Sequence, residues 1–173
     1  MTDFLYNLST LLYLGGLAAA AVCDVASLTI PNRLVLLVAA AALVGLAVVA
    51  PDRATVFMVL GAGVGVLVVG AVLFFVGVWG AGDAKLLAAA VLATGPSGLG
   101  VLLFWTAVVG GGLALILLFL RYLRILNRRR FMPRGAALLS AANGIPYGVA
   151  IAAGGTIAYL DHVTLLSGQV FGH

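Results

Sequence analysis

Residues 54–79 read ATVFMVLGAGVGVLVVGAVLFFVGVW, a run of 26 residues without a charged side chain. A helix needs about 20 predominantly apolar residues to cross the roughly 30 Å hydrocarbon core of a bilayer. Two further runs, 34–50 and 99–120, have the same character. The first run therefore predicts a membrane-spanning helix, and its repetition along the chain predicts a membrane protein with several such helices.

The composition of the whole chain indicates the same class. Of 173 residues, 64% are hydrophobic and 8% are charged, with 9 Lys and Arg, 5 Asp and no Glu. A soluble domain would need far more surface charge. The single cysteine, Cys23, excludes an intramolecular disulfide and a cysteine-rich metal cluster. No basic region precedes the first apolar stretch, so we expect no cleaved signal peptide and a first segment that is retained.

Turn-forming residues divide the apolar sequence into candidate helices. The breaks at 31–33, 51–53, 80–82 and 95–98 contain the Pro, Gly and Asn residues that end helices. The fourth helix is short, about 18 Å at 1.5 Å per residue, so we expect it to begin below the membrane surface. We predict an all-α fold, with residues 1–173 as a single membrane-embedded domain and six transmembrane helices at 6–28, 34–50, 54–79, 83–95, 98–121 and 142–160.

The positive charges predict the orientation of these helices. If the amino terminus is outside the cell, six crossings place eight of the nine basic residues, all but Arg53, at the cytoplasmic face. This is the arrangement that the positive-inside rule favours. The same placement accounts for the net charge of +4 without a nucleic-acid partner. We assign the basic run 121–134 to topology or anionic lipid rather than to substrate binding.

Two aspartates fall where water does not readily solvate them. Asp24 lies near the inner end of the first helix, and Asp83 follows Gly80-Ala81-Gly82 at the start of the fourth, on the same predicted face. A carboxyl group inside the membrane is costly unless it is paired or functional. Two carboxyls that share a site can supply one base and one acid for hydrolysis of a peptide bond without a metal. The helix-four N-terminus favours an ionised Asp83, so we expect Asp24 to hold the proton more often.

Three short motifs resemble those of the type IV prepilin peptidases, aspartic proteases of the inner membrane. They are Asp24 followed after five residues by Ile30-Pro31-Asn32, then Gly80-Ala81-Gly82-Asp83-Ala84-Lys85, and finally Ile145-Pro146-Tyr147-Gly148. The resemblance extends over essentially the whole chain. It is closest to the short, peptidase-only members that serve tight-adherence pili and pseudopilins, because the cysteine-paired region of the methylating members is missing.

The resemblance implies a function and a set of site residues. Asp24 and Asp83 would be the catalytic pair, and the substrate would be a prepilin or pseudopilin whose basic leader is removed at the cytoplasmic face of the inner membrane. No cofactor and no metal is expected, and a homo-oligomer stays open. The supporting or substrate-binding residues would be Ile30, Pro31, Asn32, Gly80, Gly82, Lys85, Pro146, Tyr147 and Gly148.

Several alternatives remain open at this level. Asp24 could merely reach the interface while Asp83 caps its helix. The chain could instead be a transporter or pilus-assembly subunit that uses both aspartates as a proton or cation site, or a protease that cuts within a transmembrane helix. Lys85 could be a topological charge or could orient the site. The small residues 61–65 predict close helix packing, with a dimer interface as the less favoured alternative.

Overall fold

The structure is a computed structural model that describes the backbone of residues 1–50, 52–126 and 144–171 and the side chains of 1–50, 52–123 and 144–164. Within these ranges the chain forms helices and no strand, which confirms the predicted all-α class. The five helices are α1 (Thr2–Ser27), α2 (Asn32–Val49), α3 (Arg53–Phe75), α4 (Ala81–Leu126) and α5 (Tyr147–Phe171).

The prediction of six transmembrane helices is not confirmed. Among the described residues, four helices, α1 to α4, are long and apolar enough to cross a membrane, and α5 is not one of them. The predicted helices 83–95 and 98–121 both belong to α4. They are two helical segments separated by a kink at Gly95, where the backbone leaves the helical conformation with φ 64° and ψ −170°. Helix resumes directly at Pro96, a residue suited to the first helical position because it has no N–H to lose.

The contacts of α4 with α5 show that the chain reverses its direction at Gly95. In the first segment of α4, Ala90 lies beside Gly155, which is seven residues further along α5 than Gly148, the residue that meets Asp24. In the second segment, the order along α5 is inverted. There Leu102 and Thr106 lie beside Gly154, and Gly110 lies beside Tyr147 and Ala150. The predicted boundary between the fourth and fifth helices therefore coincides with this reversal.

The interior of the bundle is apolar and closely packed. Its largest fully buried side chains come from α1, α2, α4 and α5 and include Tyr13, Leu17, Val38, Leu102 and Ile151. Many apolar side chains on the outside are exposed, as expected for helices whose solvent is lipid.

Small residues allow α3 to approach α4. A Cβ atom on Gly63 would lie 2.6 Å from Leu92 Cδ2, and a Cβ atom on Gly70 would lie 2.6 Å from the Cβ atom of Ala84. The close packing predicted for residues 61–65 is therefore made within the chain at Gly63. Gly61 and Gly65 face open space, with no atom within 4 Å of a Cβ at either position.

Candidate active site

The first part of the site is the carboxyl-terminal end of α1. Asp24 is 5% exposed there, although it lies only three residues before the end of the helix. The helix is closed by Leu28, whose N–H donates to the Asp24 carbonyl oxygen at 2.8 Å. Leu28 has φ 52° and ψ 31°, a left-handed conformation that is common at helix ends but unusual for a residue with a branched side chain. This turn sets the direction in which the chain leaves Asp24.

The second part is the amino-terminal end of α2. Pro31 is the residue before the first helical position, with φ −61° and ψ 134°, and its carbonyl oxygen accepts from the N–H of Leu34 at 3.0 Å. The helix predicted at 34–50 thus begins two residues earlier, at Asn32. Asn32 is the first residue of α2 and is exposed. Ile30 is half-buried.

The third part is the start of α4, where Asp83 is the third residue of the helix. A Cβ atom on Gly80 would lie 2.8 Å from Asp83 Oδ2, and one on Gly82 would lie 3.4 Å from the Cβ atom of Ile30. Both glycines of this motif thus leave room for a neighbour. The chain contact between Gly82 and Ile30 brings the start of α4 against the turn that follows Asp24.

The fourth part is the start of α5, which supplies a hydrogen bond to Asp24. The Gly148 N–H donates to Asp24 Oδ2 at 2.6 Å. Pro146 and Gly148 are buried, whereas Tyr147 is 36% exposed and its ring packs on Gly110. The first N–H groups of a helix have no hydrogen-bond partner within the helix. The Asp24 carboxylate therefore accepts from an N–H group of α5 that would otherwise be unpaired.

These four chain ends bring Asp24 and Asp83 together. The two carboxyl groups are close enough for the charge on Asp24 to act on Asp83. Around them, the Lys85 ammonium donates to Asn32 Oδ1 at 3.3 Å, which joins the second motif to the first. The structure therefore gathers residues from all three sequence motifs at one end of the bundle. The basic residues 128–130 lie outside the described part of the chain.

Two features of the site were not predicted from the sequence. The role of Gly148 as a backbone donor could not be read from its identity, although the motif that contains it was noticed. Gly70 was not singled out at all. Its missing side chain lets α3 lie against Ala84, next to Asp83, with the Ala84 Cα atom 3.2 Å from where a Cβ on Gly70 would be. A small residue within an apolar helix is the only sequence signal that could have indicated this contact.

The arrangement can perform acid–base chemistry with its own side chains. Two carboxyl groups share one site, and one of them is held by a backbone N–H. Such a pair can take a proton from water at one carboxylate and give a proton to a leaving group from the other. In the described part of the chain, no group of three His, Cys or acidic side chains is placed to hold a metal ion.

Comparison with known proteins identifies one family. A family model described as the type IV leader peptidase family matches residues 11–115. The matched range contains Asp24, Asp83 and the first two motifs, and it ends before the third. No curated protein and no solved structure is similar enough to the chain to count as a match.

Proposed function

The chain belongs to the type IV leader peptidase family, and from this membership we propose that it is an aspartic endopeptidase that removes the basic leader of prepilin or pseudopilin precursors. The observation that supports the aspartic mechanism is the meeting of Asp24 and Asp83 at one end of the bundle. The membership also favours a peptidase over a transporter or an assembly subunit.

The proposed reaction uses the two carboxyls in turn. One carboxylate accepts a proton from a water molecule as the water oxygen forms a bond to the carbonyl carbon of the scissile peptide. The other carboxylic acid gives its proton to the peptide, so that the carbon–nitrogen bond breaks and the amine leaves. The Gly148 N–H donates a hydrogen bond to Oδ2 of Asp24. The other carboxylate oxygen, Oδ1, is therefore the one that we expect to contact the water or the substrate. No metal or other cofactor enters this scheme.

We place this chemistry at the cytoplasmic side of the inner membrane. The support is the distribution of basic residues in the sequence, because the end of the bundle that carries the aspartates also carries Arg33 and Lys85. A basic leader that is retained in the cytoplasm would reach the aspartates from this side. The opposite end carries Asp3, Asp52 and Asp161.

The test is cleavage of a purified pilin precursor by the purified chain. Asp24→Asn and Asp83→Asn should each lower the cleavage rate by at least about 100-fold, because neither half of an acid–base pair can replace the other. Asp52→Asn and Asp161→Asn are matched controls, since both aspartates are exposed at the other end of the bundle. A wild-type cleavage rate in either Asp24→Asn or Asp83→Asn would reject the two-aspartate mechanism. An equal loss of cleavage rate in the control variants would reject the placement of the active site at this end of the bundle.

A further inference from the structure

A cleft of about 540 Å³ lies between α2 and α3, with the first segment of α4 as its floor. Within the described chain, α2 packs on α1 and α4, and α3 packs on α4, but α2 and α3 make almost no contact with each other. Both are long and apolar enough to cross a membrane, so the gap between them opens sideways toward lipid. The volume of the cleft falls within the range of small-molecule sites.

The cleft is apolar except at one end. Every described lining residue other than Asn32 and Lys85 is an aliphatic residue or glycine. These two residues lie at the start of α2 and near the start of α4. From Lys85 the floor continues along α4 to Leu92, which is about 10 Å at 1.5 Å per residue. On the walls, Leu36 at 67% and Val64 at 60% exposure are the most exposed apolar side chains.

The Lys85 ammonium supplies the charge at the polar end of the cleft. It donates to Asn32 Oδ1 at 3.3 Å, so it links the floor to the α2 wall. An ammonium has three donors, and this partner is a neutral amide that does not balance its charge. Asp83 lies two positions earlier in α4, and residues at that spacing do not face each other on a helix. The positive charge is therefore available to a molecule in the cleft.

We propose that this cleft binds an anionic phospholipid of the leaflet that borders the aspartate end of the bundle, with an acyl chain along α4 and the phosphate on Lys85. The side opening admits an acyl chain directly from the bilayer, and the aliphatic walls accept it. The phosphate supplies the negative charge that Lys85 lacks, and basic sites between transmembrane helices bind anionic headgroups in this way.

The size of the cleft favours a lipid chain over a peptide helix. A 10 Å length of α-helix with its side chains is about 10 Å across and occupies roughly 800 Å³, more than the cleft holds. An acyl chain is much narrower and follows the floor from Lys85 to Leu92. The inference does not depend on the peptidase function, because neither Asp24 nor Asp83 lines the cleft.

The experiment compares two photoreactive lipids in phosphatidylcholine nanodiscs that contain the purified full chain. The probes are phosphatidylglycerol and phosphatidylcholine with the same diazirine-bearing acyl chain. We expect the phosphatidylglycerol probe to label residues 35–39, 60–67 and 88–92 at least several-fold more than the phosphatidylcholine probe, and unlabelled phosphatidylglycerol to remove the difference. Equal labelling by the two probes would overturn the proposal. Removal of the label by an equimolar pilin precursor would assign the cleft to the substrate and would also overturn it.

Lys85→Gln removes the charge and keeps a polar side chain. We expect labelling of the cleft by the phosphatidylglycerol probe to fall about 5-fold, the size of one basic residue's attraction to an anionic headgroup, whereas Lys85→Arg should keep most of it. Arg53→Gln is the matched control, because Arg53 begins α3 at the other end of the bundle and does not line the cleft. Unchanged labelling in Lys85→Gln, or an equal loss in Arg53→Gln, would refute the place of the headgroup.

Ala39→Leu tests the place of the acyl chain, because Ala39 is half-buried on the α2 wall and leucine would fill part of the cleft. We expect labelling of the cleft to fall at least several-fold. Ala40→Leu is the matched control, because Ala40 is exposed on the same helix and does not line the cleft. Full labelling in Ala39→Leu would refute the proposal. The measurement is labelling and not cleavage, so its failure is distinct from a failure of the proposed peptidase function.

Discussion

Replacing Gly148 with alanine perturbs the contact between α5 and the Asp24 carboxyl group. A Cβ atom at position 148 would lie 2.8 Å from Oδ2, 2.9 Å from Cβ and 3.1 Å from Cγ of Asp24. Ordinary van der Waals contact begins at 3.4 Å, so Asp24 must retreat by about half an ångström. The Asp24 Cβ atom is bonded directly to the backbone of α1. Rotation of the side chain therefore cannot relieve the whole clash, and α1 and α5 must separate slightly.

The size of the effect follows from this displacement. A misplacement of about 1 Å can cost a catalytic group about 100-fold in rate, so half of that distance corresponds to roughly 10-fold. Lengthening the 2.6 Å hydrogen bond from the Gly148 N–H adds to the loss, since a bond to a charged group contributes about 1.5–3 kcal/mol. We therefore expect Gly148→Ala to cleave a pilin precursor about 10- to 100-fold more slowly than the wild type.

Stability should change much less than the cleavage rate. Alanine stabilises a helix by roughly 0.5–1 kcal/mol relative to glycine, which offsets part of an overpacking cost of about 1–3 kcal/mol. The assay is the initial rate of cleavage at matched enzyme concentration, together with a thermal unfolding curve for each variant. Gly15→Ala is the matched control, because it makes the same change in α1 with no atom within 4 Å of the new Cβ. A folded Gly148→Ala enzyme with the wild-type rate would refute the reasoning.

Three further predictions concern the surroundings of the site. Lys85→Gln and Asn32→Ala should each slow cleavage several-fold. Because both variants remove the same hydrogen bond, between Lys85 and Asn32, the double variant should be no slower than the slower single variant. Fully additive losses would contradict this. Leu28→Gly should be about 1 kcal/mol more stable to unfolding than Leu28→Ala, since only glycine adopts φ 52° without strain; equal stability would show that the turn is unstrained. The N–H of Thr55, 2.7 Å from Asp52 Oδ1, lowers the pKa of the Asp52 carboxyl, so Asp52→Ala should reduce the unfolding temperature at neutral pH. Because the folded pKa is the lower one, this difference should shrink as the pH falls through it, and a difference that persists in acid would refute the cap.

The sequence was sufficient to predict the class of fold and to indicate two aspartates as a candidate pair, for physical reasons that do not depend on tertiary contacts. Long apolar runs must be buried in lipid, and charges this scarce can be assessed one at a time. The position of the break at Gly95 was also predictable, because Gly95-Pro96 ends and restarts helices. What remained hidden was how sharp the reversal is, because a single non-helical residue separates the two segments of α4.

The contacts that hold the aspartates could not be predicted, because each joins residues far apart in the chain. Asp24 and Gly148 are 124 positions apart, and Asn32 and Lys85 are 53 apart. The family resemblance marked these residues without saying what they touch. The contacts explain two of these residues. Gly148 donates its N–H to Asp24 and has no Cβ atom that would collide with the Asp24 side chain. Lys85 links the start of α4 to the start of α2 through its hydrogen bond to Asn32.

The two segments of α4 differ in length, and the longer one extends past the site. From Ala81 to the reversal at Gly95 the helix rises only about 21 Å, less than the thickness of a bilayer core. The second segment returns to the level of the site at Gly110, beside Tyr147, and continues apolar to position 120. Its exposed apolar side chains, such as Leu115 at 69% exposure, belong in lipid. The ten residues from 110 to 120 rise about 15 Å beyond the level of the carboxyls, so we infer that a substrate reaches the site beside an apolar segment of α4 rather than from open water on all sides.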